Sequence, residues 1–277
     1  METFESRAKY LFTLFDVPSD IDYYLDVGAG HCDDALVFGK EAKQVLALDQ
    51  HFWNISTNLD TKRKKLTMIK ADARKLPFKT GVFQMISLLS VLEHIPEKRD
   101  TLSEVFRVLD KHGVILIQIP NRYFPIELHS GLPMINYIPN EVVRKKLLKM
   151  VGADDWFLTV DIPSFKGLVR LIKQANPQAH IVSAEKIVFP TNMLLPTVRK
   201  VSVLLSKIGF FNIFPYGYCI TVTVQRTSLN FPEKKINNVA RAPPSRKFQA
   251  IRISLIKLVN VGTIELSNRK TRNIIDC

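Results

Sequence analysis

The sequence predicts an α/β protein built on one open, largely parallel β-sheet with helices on both faces. Short β-branched apolar runs alternate with segments of helical periodicity through the first two-thirds of the 277 residues. A glycine-containing turn, Gly28–Gly30, joins the first of these runs to a helix. The hydrophobic content of 46% is enough for a full core, so we expect one large domain with an appendage.

Seven strands are predicted, five of them in the first 120 residues. These five are Tyr23–Val27, Gln44–Leu48, Leu66–Ala71, Phe83–Leu88 and Val114–Ile119. The predicted helices are Cys32–Phe38, Phe52–Lys62, Lys98–Leu109, Glu141–Lys149, Phe165–Ala175 and Val198–Ile208. We expect Gly113 to stop the third helix and Ser164 to cap the fifth. The last two strands, Ile181–Phe189 and Tyr218–Gln225, would join the same sheet.

Composition divides the chain into residues 1–226, a domain with a lid or acceptor insertion at about 120–150, and a basic C-terminal extension, 227–277. From Phe231 to Cys277 there are ten Lys or Arg against three Asp or Glu. The extension therefore carries a formal charge of +7 out of the +13 of the whole chain. Such charge favours contact with phosphates, in nucleic acid, anionic lipid or phosphorylated small molecules. The apolar stripe within Phe248–Leu258 fits a membrane-surface helix and equally a short element packed on the domain.

Other features bear on where the protein works. No apolar run approaches the roughly 20 residues of a membrane-spanning helix, and Met1–Asp16 lacks the pattern of a secretory signal. Cys32, Cys219 and Cys277 are scattered without a CxxC pair, so neither a disulfide framework nor a metal site is expected. We therefore expect a cytoplasmic protein, with peripheral membrane contact through the basic extension as a further possibility.

The glycine turn points to the class of ligand. A dinucleotide-binding turn would carry a third glycine where Asp33 stands, and Asp33 with Asp34 would repel a pyrophosphate at this helix start. A ligand with a cationic amino group and a sulfonium suits an acidic turn better, because Asp26 can attract its positive end. S-adenosylmethionine is such a ligand.

Two further acids follow strands of the same predicted sheet. Asp49 lies about twenty residues beyond the glycine turn, where a carboxylate can accept from both hydroxyls of a ribose. Asp72 ends the third strand and can accept from an exocyclic adenine amine. The pattern thus predicts a nucleoside site along one edge of the sheet.

Several motifs occur in order along the chain: Leu25–Gly30, Leu46–Asp49, Ala71–Ala73, Leu76–Phe78 and Ser90–Ile95. Through them, residues 20 to 225 resemble the class I S-adenosylmethionine-dependent methyltransferases of the type 11 branch. The resemblance implies a Rossmann-like fold and this cofactor. Cys32 stands where the family has a third small residue.

The resemblance also implies roles for individual residues. The methionine end would be lined by Asp26, Gly28 and Gly30, and the ribose held by Asp49. Gln50 and His51 would flank the adenine, and Asp72 with Ala73 would meet its edge. Leu89 and Ser90 would close the pocket beside the sulfonium.

Acceptor residues are predicted beyond this pocket. His129 is the preferred general base, and His94 is the second candidate, with a structural hydrogen-bonding role as its alternative. Arg122 could hold a phosphate or carboxylate while Tyr123 and Phe124 cover an apolar body. The same loop could equally be a proline-stiffened lid.

We therefore predict in-line methyl transfer from S-adenosylmethionine to a small-molecule, lipid or saccharide-type acceptor. An RNA methyltransferase or RNA-binding protein that uses the basic extension is the alternative, although no recognised RNA-binding motif occurs. A non-catalytic protein that binds S-adenosylmethionine is a third hypothesis.

Overall fold

The computed structural model describes residues 2–52, 66–125, 134–150, 152, 160–187 and 215–225. Several expectations fall outside these residues. They are residues 53–62 of the helix predicted from Phe52 to Lys62, the predicted helix over 198–208, His129, and the boundary and extension from 227 onward.

Seven strands form a single sheet in the order β3-β2-β1-β4-β5-β7-β6. The strands are β1 Ile21–Val27, β2 Ala42–Asp49, β3 Leu66–Lys70, β4 Phe83–Leu89, β5 Leu109–Pro120, β6 His180–Ile187 and β7 Gly217–Thr223. The first five pair in parallel, whereas β7 pairs antiparallel with both β5 and β6. The predicted seven-stranded, mostly parallel sheet is confirmed, and β7, the last of the described strands in sequence, lies inside it.

Five α-helices accompany the sheet in the described parts of the chain. They are α1 Glu2–Leu14, α2 Asp33–Phe38, α3 Lys98–Val108, α4 Glu141–Met150 and α5 Phe165–Ala175. Sequence analysis did not predict α1, although Ala8, Leu11 and Phe15 follow a helical spacing and are buried. None of the described helices combines the length and apolar content needed to cross a membrane.

Side chains of each strand alternate between two apolar cores, one on each face of the sheet. On one face, α3 and α5 pack through Leu102 and Leu168 against Ile115 and Ile117 of β5. On the other face, α1 and α2 pack against Leu116 and the other strand side chains that point to that face, and these are buried as well. Helices on both faces are therefore confirmed.

Gly113 does not stop a helix, and that expectation is wrong. Helix α3 ends at Val108 and β5 begins at the next residue, so Gly113 lies within the strand. A Cβ at Gly113 would lie 2.9 Å from the Phe83 carbonyl oxygen, where the β4–β5 register shifts. The glycine is needed for close approach of two backbones. The predicted cap at Ser164 is confirmed, since its hydroxyl accepts from the Gly167 amide at 3.1 Å.

Candidate cofactor-binding site

The glycine turn after β1 is tied to the end of β2. The amides of Gly28 and Ala29 donate to the Leu48 carbonyl oxygen at 2.8 and 3.1 Å. Gly28 has φ +75°, and the Val91 side chain occupies the space that a Cβ at Gly28 would need. Only glycine meets both demands, which keeps the turn close against the segment after β4.

Asp49 joins this turn to the end of β2. One of its carboxylate oxygens accepts from the Gly30 amide at 2.8 Å, and the other accepts from the His51 amide at 2.9 Å. Each oxygen keeps acceptor capacity beyond one backbone hydrogen bond. The structure therefore brings together Gly30 and Asp49 with oxygens able to accept from two hydroxyls. Their contact with a ribose stays a prediction.

The predicted adenine-side residues also lie together. The Asp72 carboxylate receives hydrogen bonds from the Gln50 side chain and from Arg74, whose Nη2 is 2.7 Å from Oδ2. The Arg74 hydrogen bonds lower the pKa of Asp72, so this group stays ionised. Ala73 is buried beside it. Arg74, which sequence analysis did not select, also binds Glu97 at 2.8 Å and so ties this corner to the start of α3.

Asp26 is the most unusual acid of the site. It is 2% exposed, and one carboxylate oxygen accepts from the Ser87 hydroxyl at 2.5 Å. The Tyr24 hydroxyl lies 2.7 Å from the same serine oxygen. The other oxygen of Asp26, Oδ2, is buried and has no hydrogen-bond partner in the described structure. Burial, together with the nearby Asp34 carboxylate, raises the pKa of Asp26 from 3.8 to about 8.

Asp34 at the start of α2 is a second acid of the site and is partly buried. Its Oδ2 accepts from Arg7 of α1 at 2.9 Å, while its Oδ1 is buried without a hydrogen-bond partner in the described structure. Burial raises the pKa of Asp34 despite the opposing charge of Arg7. The other guanidinium nitrogen of Arg7 donates to Ser90 Oγ and Gln118 Oε1, both at 3.1 Å. Helix α1 therefore delivers a cation to the ends of β4 and β5.

These charges fit one end of S-adenosylmethionine. A buried carboxylate oxygen without a donor is costly, and Asp26 and Asp34 each have one. An ammonium group supplies three donors and a positive charge, which is the chemistry that such oxygens lack. Arg7 offers the complementary cation for a carboxylate. A zwitterionic amino-acid end requires both signs side by side, as found here.

Leu89 and Ser90 lie where β4 turns away from the sheet. Leu89 is buried, and Ser90 adopts a left-handed conformation with φ +59°. The Ser90 amide donates to the Gln118 carbonyl oxygen at 3.0 Å. A short 3₁₀ turn, Leu92–His94, follows, in which Glu93 is buried and His94 half-buried. The proximity of His94 to a substrate stays a prediction.

The three predicted acceptor residues follow β5 directly but have different surroundings. Tyr123 is exposed, and the Arg122 guanidinium lies 4.0 Å from the Asp161 carboxylate. Phe124 is only 7% exposed and packs edge-on against Tyr216 at 5.5 Å. The Phe124 ring thus stabilises the loop against the start of β7, and its contact with an acceptor stays a prediction.

Sequence reasoning missed four polar residues of this site. Ser87 and Gln118 carry a detectable signal, since each is a polar residue within an otherwise apolar strand. Arg74 lies only two residues from its partner Asp72, but its second partner, Glu97, lies 23 positions away. Arg7 carries no signal, because its partners lie far along the chain. Arg7 is separated from Gln118 by 111 positions.

Residues 25–117 match the family model described as a methyltransferase domain. Together with the fold, this match supports a class I S-adenosylmethionine-dependent methyltransferase, an enzyme with S-adenosylmethionine as its cofactor. The matched residues run from the glycine turn to β5 and include the predicted cofactor residues. No curated protein matches the sequence.

Solved structures with the same fold have low sequence identity to this chain. An S-adenosylmethionine-dependent methyltransferase from Thermotoga maritima is 14% identical, covering 80% of this chain and 90% of its own, with a TM-score of 0.50. The YcgJ protein from Bacillus subtilis is 15% identical, with 78% and 95% covered and a TM-score of 0.50. The [4+2]-cyclase SpnF is 16% identical, with 79% and 80% covered and a TM-score of 0.50. These similarities establish the fold and leave the acceptor open.

Proposed function

We propose that this methyltransferase acts on a small-molecule, lipid or saccharide-type acceptor that combines an anionic group with an apolar body. The observation that supports this is a compact surface directly after β5. Arg122 provides a guanidinium there, and the exposed ring of Tyr123 lies 6.3 Å from that of Tyr137. Among the described residues of this surface, one partly paired cation beside two aromatic rings suits one anionic group and one apolar body better than a chain of phosphates.

The cofactor site supplies the other half of the proposal. When bound, S-adenosylmethionine provides a methyl group already activated on a sulfonium. Asp26 and Asp34 would receive its ammonium group, and Arg7 its carboxylate. Asp49 would accept from the ribose hydroxyls, while Gln50, Asp72 and Ala73 would border the adenine.

The remaining task of the protein is to align the acceptor nucleophile and exclude water. His94 follows the Ser90 turn, and a half-buried imidazole can remove a proton near neutral pH. We propose His94 and His129 as alternative bases for an acceptor that has a proton to lose. A carbon or amine nucleophile that is already deprotonated would need neither.

Calorimetry with S-adenosylmethionine tests the cofactor half, and Asp49→Ala is the informative variant. Loss of both fixed acceptor oxygens is expected to weaken binding about tenfold or more, because two hydrogen bonds to a charged group are removed. Asp22→Ala is the matched control, since Asp22 lies on the neighbouring strand β1, is exposed and is paired with Lys43 at 2.7 Å. Equal affinities for wild type and Asp49→Ala would contradict the assigned pocket.

Transfer of a labelled methyl group tests the acceptor half. Anionic small molecules, saccharide phosphates, lipids and RNA are offered to the enzyme as separate pools. We expect the labelled methyl group to appear in one of the pools other than RNA. Transfer that needs Arg122 would support the proposed acceptor surface. Label in RNA, with a rate that falls steeply as salt is raised, would favour a nucleic-acid substrate instead. Cofactor binding without transfer to any pool would favour a non-catalytic protein.

A further inference from the structure

Helix α4 turns its apolar side away from the protein. Val142 is 76% exposed and Met150 is 75% exposed, and Val143 and Leu147 are exposed as well. Only Leu148 is buried within this helix. A surface helix normally buries its apolar stripe against the core, so the orientation of α4 is the reverse of the usual one.

The helix geometry gathers these residues onto one face. Val142, Lys146 and Met150 follow each other at intervals of four, and Val143 and Leu147 form the adjacent row. Leu148 points the other way and packs with Ile135 in a small cluster of its own. We call Val142, Val143, Lys146, Leu147 and Met150 the α4 face.

Positive charge surrounds the α4 face. Four of the ten residues of the helix are basic: Arg144, Lys145, Lys146 and Lys149. The helix has one acid, Glu141, which binds Lys145 at 2.7 Å. The helix therefore presents exposed apolar side chains with a net positive charge around them.

We infer that the α4 face docks on the surface of an anionic lipid bilayer. Apolar side chains can enter the boundary between head groups and acyl chains, while lysine stems keep their ammonium groups among lipid phosphates. Each basic residue near such a surface adds attraction to anionic lipid. A second copy of this chain suits the face less well because like charges would meet, and nucleic acid offers no apolar layer for Val142 and Met150.

Docking through α4 would bring the acceptor surface to the membrane. The 3₁₀ turn Ile135–Tyr137, which leads into α4, is fastened to the loop after β5. The Tyr137 hydroxyl donates to the Tyr123 carbonyl oxygen at 2.6 Å. The inference does not depend on the identity of the acceptor, since it rests on the exposure and charge of α4.

Flotation with vesicles tests the inference on the full chain. The wild type should float with vesicles of phosphatidylcholine and phosphatidylglycerol at about three to one and remain unbound with phosphatidylcholine alone. The double variant Val142→Ser, Met150→Ser should bind the anionic vesicles about tenfold more weakly, because two apolar side chains no longer enter the interface. Val182→Ser is the matched control, since Val182 is exposed on β6 in a strand without this charge pattern.

Three results would overturn the inference. The wild type could fail to bind anionic vesicles, or the double variant could bind as the wild type does, which would assign binding to another part of the chain such as the basic extension. Alternatively, sedimentation could show a wild-type dimer that the double variant dissociates, which would make the α4 face an interface between copies. Calorimetry with S-adenosylmethionine on the same variants reports on the cofactor pocket separately, and we expect it to be unchanged.

Discussion

The buried carboxylate of Asp26 gives the sharpest test of the cofactor site. Replacing Asp26 with asparagine keeps the side-chain size and an oxygen to accept from Ser87 but removes the charge. A hydrogen bond to a charged group contributes about 1.5–3 kcal/mol. If Asp26 Oδ2 receives the ammonium group, Asp26→Asn should therefore weaken binding of S-adenosylmethionine roughly ten- to 150-fold.

The same carboxylate makes binding depend on pH. Because the pKa of Asp26 is raised to about 8 in the protein alone, the group is mostly protonated at neutral pH and must ionise to bind an ammonium. Affinity should therefore rise with pH, by up to about tenfold per unit below that pKa, and binding should release a proton. Calorimetry between about pH 6 and about pH 7.5, in buffers of different ionisation enthalpy, measures both effects.

Stability without cofactor should change in the opposite direction. A carboxyl group with a raised folded-state pKa binds its proton more tightly when folded, so the free energy of unfolding falls as pH rises from about 4 to about 8. One such proton accounts for at most about 1.4 kcal/mol per pH unit, and Asp26→Asn should remove this part of the slope. Asp22→Asn, an exposed change on the same strand, is the control. A flat affinity profile in the wild type, or one that Asp26→Asn retains, would refute the assignment.

Two further substitutions probe the walls of the site. Arg7→Gln should weaken cofactor binding about tenfold, since a charged partner for a carboxylate is lost; calorimetry measures the change. Gly28→Ala should lower the free energy of unfolding by about 2–4 kcal/mol, because a positive φ and a collision with Val91 are both unfavourable; thermal and denaturant unfolding measure it.

Each of these substitutions has a matched partner. Arg99→Gln removes an exposed cation from α3 and should leave cofactor affinity unchanged, so an equal loss in both variants would mean a general charge effect. Gly81 has φ +73° but open space around its missing Cβ. Gly81→Ala therefore carries only the cost of the positive φ. If Gly28→Ala and Gly81→Ala lowered the free energy of unfolding equally, the collision with Val91 would make no contribution.

Much of the sheet could be predicted because its signals are local. The strands Phe83–Leu89 and Gly217–Thr223 are apolar runs bounded by turn residues, and the Ser164 cap lies within three residues of the amide that it accepts from. The start of β5 was missed because it depends on a contact between residues distant in sequence. In the sequence, Leu109 continues the apolar stripe of the preceding helix, and only pairing with Phe83 on β4 makes it part of a strand.

The site could be predicted only where its residues follow a strand in sequence. Asp49 and Asp72 were selected because each ends a strand, and the structure gives both fixed carboxylates. The role of Arg7 depends on Asp34 and Gln118, which come close only after the sheet and α1 have packed. No local pattern encodes such a contact, nor the burial that sets the protonation of Asp26.

The place of β7 within the sheet has a consequence for synthesis of the chain. This strand is the last in sequence among those described, yet it lies between β5 and β6 and pairs with both. Until residues 217–223 have left the ribosome, β5 has an open edge and β6 lacks the neighbour that holds it in the sheet. A nascent chain would therefore expose one long apolar strand edge late in translation, when it is most open to pairing with another chain.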